Sequence, residues 1–166
     1  MQTSFQEFLR EKAMLSGTKE RYRNIAEWVG SLTRLVEQIH EWLRDADKDG
    51  FLEIIPYEVQ RLEARLGIYD APALKIRLGA DAIDVLPVGR DAIGPLSFGM
   101  MQALRQVKGT DGPAAGRVDI TNGERKYLLL RGIENGEDIW YVFEEESQVS
   151  PFDRLRLEAI IQDLLS

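Results

Sequence analysis

"RVDITNGERKYLLLRGIENGEDIWYVFEEE", residues 117–146, is the stretch that decides the fold. "RVDIT" and "RKYLLLRG" flank "NGE" at 122–124, and the chain reverses again at "IENGE" before "DIWYVFEEE". An Asn-Gly pair between apolar runs is a strong hairpin signal, because both residues accept the positive φ that a tight turn needs. The stretch therefore predicts three antiparallel strands in a meander. Within the third, Trp140 faces opposite to Tyr141 and Phe143. One set belongs to the core, and Trp140, if it is exposed, is the best single anchor for a partner.

Toward the C-terminus, Ser150, Pro151 and Asp153 read as a helix start: a capping serine, proline at the first helical position and an acid three residues after the cap. Phe152, Leu155, Ile160, Ile161, Leu164 and Leu165 give this helix an apolar face to lay on the sheet. Toward the N-terminus, residues 89–116 are glycine-rich and irregular, with "IGPLSF" as a short strand, "MMQALRQV" as a helical turn or two and "KGTDGPAAG" as an exposed loop. Before them, "ALKIRLG" at 73–79 and "AIDVLPVG" at 82–89 alternate with period two and flank a tight turn. Pro87 marks an edge or an end of pairing in the second. Five or six antiparallel strands closed by a C-terminal helix over residues 73–165 resemble, in outline, the pleckstrin-homology-like roll. Such a likeness of shape implies a fold and no function.

The first 67 residues follow a different period. Phe5, Phe8 and Leu9 recur at i, i+3 and i+4, "SGT" at 16–18 interrupts, and a long helical pattern runs from about Lys19 to Arg44. Its apolar positions, from Ile25 through Trp28, Leu32, Leu35 and Ile39 to Trp42, repeat every seven residues for nearly three heptads. Unbroken, such a helix is roughly 40 Å long; Gly30 and Ser31 inside it are the positions where it would kink. The stripe has two readings. It packs on the chain's own sheet, or it is an arm that self-associates or docks on another protein.

Between helix and sheet lies "DADKDGFLEIIP", residues 45–56. Half of it resembles an EF-hand calcium loop: Asp45, Asp47 and Asp49 at the first, third and fifth positions, Gly50 at the sixth, Leu52 at the eighth and Glu53 at the ninth. The twelfth position, where that motif has a bidentate glutamate, is Pro56. Asp45, Asp47, Asp49 and Glu53 are thus candidate calcium ligands, and the competing reading is a polar turn that ends a helix. Pro56 then opens another predicted helix, with Val59, Leu62 and Leu66 as its stripe and Gly67 as its stop.

Composition bounds the chemistry. The chain has no cysteine, which excludes disulfides, thiolate catalysis and cysteine-ligated zinc, and His40 is its one histidine. Carboxylates are plentiful, but nothing singles out a catalytic pair. Net charge is -7, with 6 basic and 11 acidic side chains after residue 116. That field opposes nucleic-acid binding. The segment 89–117 is locally basic through Arg90, Arg105, Lys108 and Arg117. No apolar run is long enough to span a bilayer and the N-terminus has no secretory pattern, so a cytoplasmic location is expected.

The expected fold is α+β: an N-terminal helical hairpin or arm over residues 1–67, then a 5–6-stranded antiparallel sheet or roll with a C-terminal helix over 68–166. The expected function is non-enzymatic, a protein-interaction or assembly module with no cofactor. Its contacts would be the N-terminal helices, Arg90, Arg105, Lys108, Arg117 and Trp140. The alternatives are a calcium-binding module at the aspartate loop and a small enzyme using carboxylates.

Overall fold

The computed structural model describes residues 4–15, 17–91, 94, 98–99, 101–102, 116–145 and 148–166. Two helices precede a sheet of seven antiparallel strands, and a third helix follows it. The strands are β1 (Glu53–Glu63), β2 (Gly67–Leu78), β3 (Asp81–Gly89), β4 (Arg117–Thr121), β5 (Lys126–Glu134), β6 (Glu137–Glu145) and β7 (Gln148–Pro151), in spatial order of sequence. The fold is α+β as expected, with seven strands rather than five or six.

Helix α1 (Phe5–Leu15) opens with a capping box. The Ser4 hydroxyl accepts from the Glu7 amide at 3.1 Å, and the Glu7 carboxylate accepts from the Ser4 amide at 3.3 Å. Helix α2 runs from Thr18 to Ala46 in one piece. It does not break at Gly30 and Ser31; Ser31 is buried, and its small side chain touches the sheet. The heptad stripe faces inward. Trp28, Leu32, Leu35, Val36, Ile39 and Leu43 are buried on one face of the sheet. Leu74, Val85, Ile120, Leu129 and Val142 of that face join them in the core. The packing reading of the stripe therefore holds for these residues, while Ile25, Val29 and Trp42 at its margins are only partly covered.

Strand β1 corrects the helix expected from Pro56 to Leu66. Tyr57, Val59, Arg61 and Glu63 lie on its more buried side and Glu58, Gln60 and Leu62 on its exposed side. The period is two, but two of the inward positions carry charge, so a count of apolar spacing misses it. Arg61 Nε donates to the Pro87 carbonyl at 2.7 Å, and Glu63 is buried with hydrogen-bond partners on every side. Pro56 sits in an edge strand, where its missing N–H has no ladder bond to break. Gly67, with φ 77°, follows a hairpin turn rather than a helix.

Pro87 sits where pairing ends, as expected: β2 pairs with β3 only as far as Val85, and from there β3 is paired with β4 alone. β3 lies between β2 and β4, and a register shift between Pro87 and Gly89 absorbs the proline. The meander of β4, β5 and β6 is as expected. Asn135 and Gly136, φ 52° and 78°, make its second turn. Ser150 and Pro151 pair with Val142 and Tyr141 as strand β7 instead of starting a helix. The last helix, α3 (Arg154–Leu164), is capped three residues later, where Asp153 accepts from the Arg156 amide at 2.8 Å. It buries Leu157, Ile160, Ile161 and Leu164 against α2 and the sheet, while Leu155 is exposed. Leu128, Leu130 and Phe143 are buried on the sheet face opposite α2. "IGPLSF", "MMQALRQV" and "KGTDGPAAG" fall largely outside the described residues. No helix among the described residues is long and apolar enough to cross a membrane.

Candidate functional site

The first half of α2 is fixed by polar and aromatic contacts. Trp28 is fully buried, and its indole Nε1 donates to the Tyr69 hydroxyl at 3.1 Å. Tyr69 donates in turn to the buried Glu63, which also accepts the backbone amides of Arg90, at 3.1 Å, and Asp91, at 2.9 Å. Burial first, and then the bond to Glu63, hold the Tyr69 phenol well above its ordinary range. One face of the Trp28 ring lies against Gly116, where any Cβ would stand 2.2 Å from Cζ3. The guanidinium of Arg131, itself wholly buried, lies 5.0 Å from the ring centroid.

Arg131 neutralises its charge on two elements. It grips both oxygens of Glu27 on α2, at 2.8 and 3.2 Å, and reaches Asp138 on β6 at 3.4 Å. Asp138 also accepts from Ser31 Oγ at 2.7 Å and Arg34 Nη2 at 2.9 Å. Burial alone would raise the Asp138 carboxyl. The bonds from Arg34 and Ser31 and the charge of Arg131 outweigh it and hold the group below the usual carboxylate range.

Beside this clamp, toward the C-terminal half of α2, the surface opens. A groove of about 600 Å³ runs between α2 and the β5–β6 hairpin. Trp42, Trp140 and Phe152 line it, with Trp42 and Phe152 edge to face at 5.8 Å. Trp140 is half-buried, its ring 6.2 Å from that of Trp28. The amide of Phe152 donates to the Trp140 carbonyl at 2.9 Å, tying the segment before α3 to β6. Arg34, Gln38 and Asp138 supply the polar rim. Because Asp138 is held ionised, it suits accepting a hydrogen bond or facing a cation and is poorly suited to donating a proton.

The other candidates from the sequence are dispersed. Asp47 caps the end of α2, and its two carboxylate oxygens accept from the amides of Phe51, at 2.9 Å, and Leu52, at 2.7 Å. Asp45 and Asp49 are exposed, and Glu53 begins β1, so a strand follows the loop where an EF-hand has its second helix. Among the described residues no three histidine, cysteine or acidic side chains converge to hold a metal ion. Arg90 bridges Glu27, at 3.2 Å, and Asp91, at 2.9 Å. Arg117 is buried in a two-point pair with Asp119, at 2.8 and 3.1 Å, and is not presented to solvent. Arg105 and Lys108 lie outside the described residues.

Of the sequence candidates, only Trp140 enters the groove. Trp42 carried a signal but as one more residue of the heptad stripe, and Phe152 as part of the last helix. Their convergence depends on how α2 crosses β6, which no local pattern records. No family model, no curated protein and no solved structure matches this chain, which leaves the groove's own chemistry to indicate what it does.

Proposed function

We propose that this chain is a non-enzymatic protein-interaction module whose aromatic groove takes an apolar side chain from a partner protein. One observation carries the reading: Trp42, Trp140 and Phe152 converge, incompletely covered, in a single groove with Arg34 at its rim. Partly exposed tryptophan and arginine around a concave apolar floor are the composition of interface hot spots, and a polar rim is their usual border. Most of the heptad stripe is engaged inside the chain, and Trp42 at its C-terminal end is the member left partly uncovered.

Trp42→Ala and Trp140→Ala test it. Each is first shown by circular dichroism to keep the fold, and then used beside the wild type as bait in quantitative affinity purification from the native cell. A partner enriched by the wild type and reduced at least tenfold by both variants is the expected result. A partner retained equally by all three baits overturns the groove as the contact.

A further inference from the structure

We propose a second binding site at the opposite end of α2, a cationic cleft that takes a phosphate group. The cleft has a volume of about 540 Å³ and lies between α1, the start of α2, the β1–β2 turn and the end of β3. Lys12, Arg21, Arg65 and Arg90 line it, each from a different one of these elements. Against them stand two acids, Glu20 and Asp91. With Glu27, which pairs with Arg90, the four cations face three acids, so on a chain of net charge -7 the cleft is still locally cationic.

The guanidiniums of this cleft differ in occupancy. Arg90 is already bound to Glu27 and Asp91. Arg21 and Arg65 have no carboxylate within salt-bridge reach among the described residues. Arg21 goes further: its Nε is buried and makes no hydrogen bond, an arrangement that leaves a desolvated donor unsatisfied. Its guanidinium is held over the Tyr22 ring, 5.2 Å from the centroid, and Nη1 lies beside Gly67 at the turn that carries Arg65. Two forks so placed suit an oxyanion with three acceptor oxygens better than a single carboxylate. The amide of Asn24 lies in the same wall and offers a neutral donor. The cleft shares no residue with the aromatic groove, and Arg21 and Trp42 are separated by about 32 Å of helix at 1.5 Å per residue.

Titration calorimetry on the full chain at fixed ionic strength tests the site with three probes: inorganic pyrophosphate, a phosphoserine peptide and acetate. Binding of either phosphate probe, with acetate at least tenfold weaker, is expected. Pyrophosphate alone would assign a small molecule as the source of the phosphate, and the peptide alone a modified protein. Arg65→Ala changes an exposed side chain and is expected to fold; it and Arg21→Ala should each weaken binding at least tenfold. Lys126→Ala, an exposed cation on β5, should leave it within twofold. No heat from either phosphate probe, acetate binding as tightly, or equal loss in Lys126→Ala would overturn the proposal.

Discussion

The two halves of α2 meet the same sheet in opposite ways. Around Trp28 the contact is saturated: the indole N–H, the Tyr69 hydroxyl, the Glu63 carboxylate and the Arg131 guanidinium each have partners, and Gly116 leaves no free space against the ring. Around Trp42 the helix still buries Ile39 and Leu43, but its flank toward the β5–β6 hairpin is open, and three aromatic rings line a groove there instead of closing it. The buried tryptophan and arginine, which are the rarer residues to find inside, belong to the framework. The half-covered aromatics are the ones the proposed partner would meet.

The largest way to break this contrast is Trp28→Ala. Removing a fully buried indole should cost about 3–5 kcal/mol, read as a lower urea midpoint with an unchanged slope. A loss under about 1 kcal/mol would mean that the clamp is not what fixes α2. Gly116→Ala comes next. The added methyl meets the Trp28 ring at 2.2 Å, and the residue's φ of 147° suits glycine alone. A cost of about 2–3 kcal/mol is expected from crowding and backbone strain together.

Acid sharpens the contrast at its boundary, where Asp138 serves both clamp and groove. Its carboxyl is held below the ordinary range, so the folded state binds its proton less readily than the unfolded chain does. The stabilisation it gives is complete above the ordinary carboxylate range, about pH 4, and is lost as pH falls through the lowered value. Stability measured from pH 6 down to pH 2 should show a shallower acid limb in Asp138→Asn than in the wild type. The smallest effect belongs to the groove. Trp42→Ala should shift thermal stability by less than Trp28→Ala does, because its indole is only partly removed from water. Equal losses at the two tryptophans would erase the difference between the halves.

What the sequence disclosed follows from where its signals are local. Helix α2, the β2–β3 hairpin, the β4–β6 meander and α3 all carry an apolar period that matches their buried face. β1 escaped because Arg61 and Glu63 face inward, satisfied by a carbonyl and amides from β3 and beyond. β7 escaped because Ser150 and Pro151 mimic a helix start that Asp153 provides three residues later. Trp140 was legible from strand alternation. Its groove was not, since Arg34 and Asp138 meet across 104 residues of chain. Nor does anything in "LLLRG" distinguish Arg131 from an exposed arginine; its burial rests on Glu27 and Trp28, which lie more than 100 residues earlier in the chain.

The place of β1 at the rim of an open sheet has one more consequence. Eleven residues of backbone with a neighbour on one side only could template the addition of a foreign strand, and from there fibre growth. Pro56 interrupts that template with a residue that cannot donate, and the outward Glu58 repels an identical copy brought alongside. The proline that imitates a helix start in the sequence thus acts as a guard against polymerisation, keeping the molecule's longest unzipped edge from sticking to its own kind.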